Sequence, residues 1–360
     1  MSAINAAKDK DLHILMDTFI SKLKRKQIHG SYNVAIETAQ LLVKVVSLTK
    51  WTSLEQLISS ISLIGKRLVD AQPRAYTCGN VVRRVLALIR DELEDEEKTK
   101  GSTTESSNVG SSMFNLLTPA KTDAQNKNKS GINDQRAVII QSIRDLVDEI
   151  RNVDQEIEGM LDDLVHDNET LLTPTPSSQT VLRFLKRARQ KRKFKVMVTE
   201  CFPNDTAVAH NFAKQLAEAN IETIIVPDTS VFAVMAGVSK VIVGTRCVFA
   251  NGGSVTESGV STVVECAREH RTPVFAVTGL YKLSPCYPFN RESLIEFGNS
   301  GKVVKFQENT LVENAETANP LYDYVPPENI DIFITNVGGI SPNFIYRIVL
   351  DNYKQEDIDL

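Results

Sequence analysis

Apolar side chains recur every three or four positions through the first ninety residues of the chain. Residues 12–23 and 34–46 each have this spacing, which is typical of amphipathic α-helices. Residues 54–68 and 81–89 repeat it after short polar connections. Four consecutive amphipathic helices predict a helical N-terminal domain, which we place at residues 1–93.

The periodicity stops between residues 94 and 133, where the chain becomes polar, rich in serine and poor in β-branched residues. This composition predicts a disordered polar insert. Its apolar island, residues 113–117, is either a docking peptide or incidental apolar content, and the composition favours the latter. Apolar positions at near-heptad spacing return over residues 134–165. They predict a connector helix, with a coiled-coil partner surface as the alternative.

From residue 166 to residue 360, short runs rich in Val and Ile alternate with helical stretches. Repeated β-α units predict a mostly parallel, doubly wound sheet with right-handed crossovers. The predicted fold class is therefore α/β, with a helical N-terminal domain, a long connector helix and a Rossmann-like C-terminal domain. Strands are expected at residues 170–173, 194–199, 223–226, 241–243, 273–277 and 330–335. No Gly-x-Gly-x-x-Gly motif follows any of them, so a dinucleotide site is not indicated.

The apolar run at residues 241–243 is typical of a central strand that is buried on both faces. Gly244 closes this run, and Asn251, Gly252 and Gly253 supply residues suited to a tight return. Open α/β sheets bind ligands at the carboxyl ends of their strands. The loop that follows Gly244 is therefore a candidate site.

The composition of the chain argues against several classes of protein. Lys plus Arg number 41 and Asp plus Glu number 45, a near balance that argues against dedicated, non-specific nucleic-acid binding. The five cysteines have no Cys-x-x-Cys spacing, and the histidines have no metal-ligand spacing. Residues 1–13 lack the apolar core of a signal peptide, and no long uncharged apolar run occurs, so we expect neither a signal peptide nor a membrane span. We expect a cytoplasmic protein with reduced thiols, no metal, no cofactor and no membrane segment.

The densest charged stretch is residues 183–195, in which eight of thirteen positions are Lys or Arg. Such a run could bind RNA phosphates or act as a nuclear signal. Its apolar positions have helical spacing, and cations near a helix C-terminus are favourable against the helix dipole. A solvated helix face is therefore the favoured interpretation.

Two further stretches contain candidate contact residues. Glu200 follows a predicted strand and could act as a general base, although nothing in the sequence identifies its proton. His210 lies early in the next helix and could contact a ligand or a partner, or could be an ordinary exposed histidine. Residues 319–327 combine tyrosines with prolines, which suits a protein interface or a loop packed on its own domain. The interface candidates in this stretch are Asn319, Tyr322, Tyr324 and Pro326.

Three stretches carry a resemblance to a known family: KRKFKVMVTECFP at residues 191–203, VIVGTRCVFANGG at 241–253, and the long run at 319–347. They resemble the superfamily that joins methylthioribose-phosphate and ribose-bisphosphate isomerases to the alpha, beta and delta regulatory subunits of translation initiation factor 2B. The long run is most similar to the beta type. The resemblance covers nearly the whole chain.

The resemblance implies a hetero-oligomer with alpha, delta, gamma and epsilon subunits, the last of which carries exchange activity. It also implies a role in detecting initiation factor 2 that is phosphorylated on its alpha subunit. The helical domain would help to form the detecting surface, and related C-terminal domains would pair pseudo-symmetrically. These implied partners are proteins, with no direct nucleic-acid contact.

The isomerases of this superfamily use a cysteine and an aspartate, and those positions correspond here to Thr175 and Arg246. Threonine is far less acidic than a thiol, and arginine cannot accept a proton. Phe202 and Glu257 replace cations that a phosphate would need. The resemblance therefore implies a vestigial sugar-phosphate pocket in a non-catalytic regulatory subunit. Its residues are Thr175, Glu200, Phe202, Arg246, Asn251, Gly252 and Glu257.

Two other function classes remain open from the sequence. A divergent sugar-phosphate isomerase of the same superfamily would retain turnover with methylthioribose phosphate or ribose bisphosphate. An RNA-binding module would bind RNA with a steep salt dependence through the cations of residues 183–195.

Overall fold

The computed structural model describes residues 2–101, 124–159 and 164–360. The α-helices in these segments are α1 (Ser2–Lys24), α2 (Ser31–Leu48), α3 (Leu54–Ala71), α4 (Tyr76–Gly101), α5 (Ala124–Glu158), α6 (Gln179–Lys191), α7 (Thr206–Glu218), α8 (Val231–Met235), α9 (Val260–His270), α10 (Asn309–Asn314) and α11 (Ile345–Asn352). The first four are the helices that the apolar spacing predicts. Ser53 caps α3, because its side chain accepts a hydrogen bond from the backbone N–H of Gln56.

The polar insert and the connector differ from their predicted bounds. Helix α4 continues to Gly101 and α5 begins at Ala124, so helices cover both ends of the segment expected to be disordered. The apolar island at residues 113–117 lies outside the described residues. Helix α5 ends at Glu158, before the predicted end of the connector at residue 165.

The described strands are β1 (Thr170–Thr173), β2 (Lys195–Thr199), β3 (Glu222–Val226), β4 (Lys240–Gly244), β5 (Cys247–Phe249), β6 (Ser254–Glu257), β7 (Val274–Val277), β8 (Leu283–Ser284), β9 (Tyr322–Val325), β10 (Ile332–Thr335) and β11 (Gly338–Ile340). Seven of these form a sheet in the order β11-β10-β7-β4-β1-β2-β3. All neighbours in it pair in parallel except β10 and β11. The predicted mostly parallel α/β domain is confirmed.

A second sheet, in the order β8-β5-β6-β9, was not predicted. Its strands have two to four residues, too few for alternation of apolar and polar side chains to identify them. The stretch after Gly244, which was expected to be a loop, is therefore a strand followed by a hairpin turn. The aromatic stretch at residues 319–327 contains β9 and pairs antiparallel with β6.

A continuous apolar cluster joins the helical half of the molecule to one face of the main sheet. It includes the buried Leu42 of α2, Leu86 of α4, Ile143 of α5 and Val196 of β2. Helix α5 packs against α2, α4 and α6, and so lies between the two halves. The helical domain expected at residues 1–93 thus shares its core with the domain expected at 166–360.

The segment after α11 returns to the helical half. Arg90 of α4 donates two hydrogen bonds of 2.9 Å, from Nε and Nη2, to the carboxylate of Asp357. Arg83, two turns earlier on the same face of α4, donates from Nε to the carbonyl oxygen of Ile358 at 3.0 Å. We call the Arg90–Asp357 pair the tail clamp. It fixes the chain after α11 against α4.

None of the helices in the described part of the chain combines the length and the apolar character needed to cross a membrane.

Candidate functional site

A cavity of about 250 Å³ lies where the helical half meets the carboxyl ends of β1 and β4. Its walls come from the α1–α2 loop, from α5, from the start of α6 and from the segments around β4, β6 and β8. We call this cavity the cleft. Three residues of the predicted vestigial pocket line it: Thr175, Arg246 and Glu257. An adjoining cavity of about 180 Å³ also contacts Arg246 and is bordered by Tyr322.

Thr175 follows β1 and is almost fully buried. Its Oγ1 accepts a hydrogen bond of 2.8 Å from the backbone N–H of Gly244, at the end of β4. A Cβ atom at Gly244 would lie 2.5 Å from Oγ of Ser178, so only glycine permits this close approach. The hydroxyl of Thr175 therefore holds two strand ends together.

Arg246 lies between β4 and β5, and its backbone N–H donates to the carbonyl oxygen of Val255 at 2.9 Å. The guanidinium carbon stands 4.4 Å from the ring centroid of Tyr322. This stacking is a favourable cation–π contact that keeps the charge beside both cavities. The aromatic residue beneath it comes from β9, within the stretch proposed as a protein interface.

Glu257 is the last residue of β6 and lies opposite Tyr322 across the β6–β9 pair. Its Oε2 is buried and has no hydrogen-bond partner among the described residues. Burial and the neighbouring carboxylate of Asp205 raise the pKa of Glu257 to about 7, against the opposing effect of Arg246 and Lys282. An unpaired, desolvated carboxylate binds its proton more tightly than one in water.

Lys282 was not identified from the sequence, yet it is the most buried cation of the cleft, with 5% of its surface exposed. Its Nζ donates to the carbonyl oxygen of Thr245 at 2.9 Å. Burial, with the nearby Arg246, lowers the pKa of Lys282 to about 8. In the sequence, Lys282 is a single lysine near an apolar strand. That pattern is too common to identify a residue of a cleft. We call Arg246, Glu257 and Lys282 the charged triad.

A paired set of charges closes the other side of the cleft. Arg183 of α6 forms an ion pair with Asp154 of α5, and both residues line the cavity. The pair joins the connector helix to the Rossmann-like half. It neutralises two of the charges that face the cleft.

The remaining basic run packs as a helix face. Val181, Leu182, Phe184, Leu185 and Ala188 form the buried side of α6. Arg189 donates from Nε to the carbonyl oxygen of Asn220 at 2.7 Å, and Lys195 lies 2.8 Å from a carboxylate oxygen of Glu222. The contact of Arg189 is consistent with the helix-face interpretation, whereas Lys195 lies on β2, outside the helix.

Metal ligation finds no support in the part of the chain that the structure describes, where no group of three or more His, Cys, Asp or Glu side chains is arranged to hold an ion. The five cysteines lie in described segments and are all free. Burial raises the pKa of the Cys201 thiol to about 12, so this thiol is unsuited to nucleophilic attack near neutral pH.

The family of the chain follows from its similarity to known proteins. The model of the initiation factor 2 subunit family matches residues 27–342. The chain belongs to the initiation factor 2 subunit family. The family predicted from the three sequence stretches is thereby confirmed.

Known proteins match between about two thirds and nearly all of the chain. Translation initiation factor eIF2B subunit beta of Schizosaccharomyces pombe is 39% identical over 395 residues, which covers 99% of each protein. A chain of the tetrameric eIF2B-beta2-delta2 complex of C. thermophilum has a TM-score of 0.72 and 28% identity, and covers 98% of this chain and 99% of that chain. Ribose 1,5-bisphosphate isomerase of Archaeoglobus fulgidus is 28% identical over 63% of this chain and 72% of the isomerase.

Four of the seven predicted pocket residues do not line the cleft, and two of these, Glu200 and Phe202, lie in the loop after β2. Phe202 is 65% exposed on the surface, because the backbone N–H groups of Cys201 and Phe202 both donate to the carboxylate of Asp228 and turn the loop outward. Glu200 follows β2, partly exposed, with its backbone N–H bonded to Val226. The expected phosphate-holding element, residues 200–203, therefore contributes no residue to the lining of the cleft.

Asn251 and Gly252 lie in the turn between β5 and β6. Asn251 Oδ1 accepts from the N–H of Gly253 at 3.0 Å, and Gly252 has a φ of 80°. Four residues of extended strand separate this turn from Glu257, a span of roughly 13 Å. These two residues shape the hairpin, and they lie outside the lining of the cleft.

The side chains proposed as interface contacts differ in how exposed they are to solvent. Asn319 is buried, and its amide pairs with that of Asn204 at 2.8 and 3.0 Å, which fits the alternative of a loop packed on its own domain. Tyr324 packs on Phe249 and accepts a hydrogen bond from Asn251 within its own chain. Tyr322 and Pro326 are partly exposed. His210 is exposed on α7.

Proposed function

We propose that this chain is a non-catalytic, beta-type regulatory subunit of the guanine-nucleotide exchange factor for initiation factor 2. The observation that carries the proposal is the 39% identity to a subunit beta over 99% of both proteins. A relationship that spans the whole chain includes both halves and the shared core between them. It is more specific than the fold, which hosts unrelated functions.

The lining of the cleft supports a non-catalytic role. Thr175 Oγ1 is engaged with the N–H of Gly244, and a threonine hydroxyl does not ionise near neutral pH. Arg246 stands where the resemblance places the aspartate of the isomerases, and a guanidinium cannot serve as a general base. No proton-transfer pair comparable to a cysteine and an aspartate is therefore proposed for this cleft.

The partners that we propose are the alpha, delta, gamma and epsilon subunits and initiation factor 2, including its form phosphorylated on the alpha subunit. Support comes from the C. thermophilum relative, whose solved structure is a tetramer of two beta and two delta chains. Subunits of one fold can pair about a pseudo-twofold axis. His210, with its exposed side chain, stays a candidate contact, as do Tyr322 and Pro326. We place the assembly in the cytosol.

Affinity purification of the full-length chain from its own cells, followed by mass spectrometry, tests this function. We expect recovery of the other four subunits together with initiation factor 2. A His210→Ala variant should lose part of this recovery if that residue contacts a partner, whereas Glu218→Gln on the same helix serves as the matched control. Recovery of a stand-alone homodimer without initiation factors would overturn the proposal.

The isomerase alternative has a separate test. The purified chain is incubated with ribose bisphosphate or with methylthioribose phosphate, and we expect no product above the uncatalysed rate. Turnover by the wild-type chain that disappears in Glu200→Ala would contradict a non-catalytic role. Thr175→Ala removes only the hydroxyl that bridges two strand ends. It therefore shows how much activity is lost through weaker packing alone, without the removal of a candidate general base.

A further inference from the structure

The hairpin turn between β5 and β6 contains the only Asn-Gly dipeptide of the sequence, Asn251-Gly252. In such a dipeptide the backbone nitrogen of the glycine can attack the side-chain amide carbon of the asparagine, because the glycine has no side chain to obstruct the approach. Neither residue lines the cleft. The chemistry of this turn is therefore separate from that of the charged triad.

We propose that Asn251 is a site of spontaneous deamidation, that the hydrogen bonds of the β5–β6 hairpin slow the reaction in the folded chain, and that opening of the turn permits it. The product is an aspartyl or isoaspartyl residue at position 251. This inference concerns the covalent lifetime of the turn, and it holds whether or not the chain acts as a regulatory subunit.

The reaction balances with water as its only co-reactant. A bond forms between the backbone nitrogen of Gly252 and Cγ of Asn251, and the bond from Cγ to Nδ2 breaks. The proton lost from the Gly252 nitrogen leaves with the amide group as ammonia. Water then opens the cyclic imide: cleavage at Cγ gives an ordinary aspartate, and cleavage at the backbone carbonyl carbon gives an isoaspartyl linkage.

The folded turn protects the attacking nitrogen. The backbone N–H of Gly252 donates to the carbonyl oxygen of Phe249 at 2.9 Å, and Gly252 is buried. This nitrogen attacks only after it has lost its proton, and a proton in a buried hydrogen bond is shielded from the base that would remove it. The turn must therefore open before Gly252 can react.

Two further hydrogen bonds hold the amide of Asn251. Its Oδ1 accepts from the backbone N–H of Gly253 at 3.0 Å, and its Nδ2 donates to the hydroxyl oxygen of Tyr324 at 3.0 Å. The side chain is exposed, so water reaches it, but the amide cannot turn toward Gly252 without losing these bonds. Because Tyr324 lies on β9, the protection of the turn depends on the pairing of β6 with β9.

The geometry of the turn requires the glycines that make Asn251 reactive. Gly252 has a φ of 80°, and a Cβ atom there would lie 2.7 Å from the carbonyl oxygen of Pro342. A Cβ atom at Gly253 would lie 2.1 Å from the hydroxyl oxygen of Tyr324. A bulkier neighbour that would slow the reaction therefore does not fit this backbone.

The two products differ in their effect on the hairpin. An aspartate at position 251 retains oxygens that can accept hydrogen bonds from the N–H of Gly253 and the hydroxyl of Tyr324. An isoaspartyl linkage instead adds one carbon atom to the main chain, inside a turn closed by the 2.8 Å bond from Phe249 N–H to the Gly253 carbonyl oxygen. Since this turn sets the register of β5 and β6, the isoaspartyl form should disturb the cleft wall that carries Arg246 and Glu257.

Peptide mass spectrometry of the purified full-length chain tests the proposal. The chain is incubated at mildly alkaline pH, folded or in urea, and the peptide that contains residue 251 is followed over time. We expect deamidation to be about tenfold or more faster in urea, because the folded turn must first open. Asn220, exposed and followed by the branched Ile221, is the internal control and should react far more slowly than Asn251 in urea.

Removal of one hydroxyl tests the role of the hairpin. Tyr324→Phe keeps the ring but loses the acceptor for Asn251, so the folded variant should deamidate about two- to tenfold faster than the wild type, as expected for one lost hydrogen bond. Tyr322→Phe is the matched control on the same strand, because the bond to Asn251 comes from Tyr324. It should leave the rate unchanged, and in urea all three chains should react equally fast.

Urea denaturation distinguishes the two products. Freshly prepared Asn251→Asp protein should unfold at the same urea concentration as the wild type, because the hydrogen bonds of the turn can be retained. Aged wild-type protein, in which isoaspartate is detected by enzymatic methylation, should contain a fraction that unfolds at lower urea. Aged protein rich in isoaspartate that unfolds like fresh protein would contradict the expected damage to the turn.

Three results would overturn the proposal. The first is an Asn251 that stays intact in the urea-unfolded chain, since the site would then be unreactive. The second is an equal rate in the folded and unfolded wild type, since the hairpin would then give no protection. The third is a folded Tyr324→Phe chain, verified by circular dichroism, that deamidates no faster than the wild type.

Discussion

Two clusters of charge in this molecule use opposite arrangements. In the tail clamp, Arg90 meets the buried carboxylate of Asp357 through two hydrogen bonds of 2.9 Å, and both groups are paired. In the charged triad, Oε2 of Glu257 is buried without a hydrogen-bond partner among the described residues, while Arg246 and Lys282 stand nearby. The first cluster joins two segments of the chain. The second leaves one buried carboxylate oxygen without such a partner.

Paired and unpaired buried charges have different consequences for the protein. A bidentate pair matches donors to acceptors and satisfies the charges it buries. An unpaired buried carboxylate destabilises the folded protein whenever it is ionised, because water no longer solvates it. A group of this kind is expected where a fold retains charge for binding or exchange of protons. Three substitutions should show this difference between the two clusters.

The largest effect is expected at the tail clamp. Asp357→Asn removes the negative charge that faces Arg90 and should lower the free energy of unfolding by about 3 kcal/mol, measured by urea denaturation. Glu356→Gln is the matched control, because Glu356 also approaches Arg90 but is 72% exposed. It should change stability by less than about 0.5 kcal/mol. Equal effects of the two variants would contradict the assigned difference.

Glu257→Gln should act in the opposite direction. Since the folded-state pKa of Glu257 lies above its ordinary value of 4.5, the stability associated with protonation is present at low pH and is lost as pH rises through about 7. The variant should therefore be more stable than the wild type by about 2 kcal/mol at about pH 8. Chemical denaturation at about pH 4.5 should give nearly equal stabilities. A destabilised variant at the higher pH would refute the desolvation argument.

The smallest effect is expected at the stacked arginine. Arg246→Met removes the contact with Tyr322 and should lower the free energy of unfolding by about 0.5–1 kcal/mol. It also removes a cation that lowers the pKa of Lys282, which should rise, as monitored by NMR of the lysine side chain. Arg291→Met is the matched control, because its guanidinium carbon lies 5.0 Å from the centroid of Tyr324. That variant should leave the pKa of Lys282 unchanged.

The spacing of apolar residues predicts those helices and strands that are long enough to show a repeat. The four N-terminal helices and the parallel strands were accessible from apolar spacing, since each buries a repeated stripe or a continuous run. The second sheet was not, because a strand as short as Leu283–Ser284 has no measurable alternation. Its pairing depends on contacts between residues far apart in the chain.

The sequence identified those site residues whose type differs from the residue at the same position in related enzymes. Arg246 and Glu257 drew notice because they replace residues of the opposite charge in related enzymes, and both line the cleft. Lys282 had no such contrast, so its burial emerged only from the packing. For residues 319–327 the sequence left open an interface or a loop packed on its own domain, and the pairing of Asn319 with Asn204 depends on contacts between residues far apart in the chain.

The shared core between the helical half and the main sheet also bears on how the chain survives in a cell. Side chains from α2, α4, α5 and β2 contact one another in a single apolar cluster, so neither half can open without exposing the other. Quality-control proteases act on opened states. A destabilising change at the far end of the helical half should therefore lower the abundance of the whole subunit.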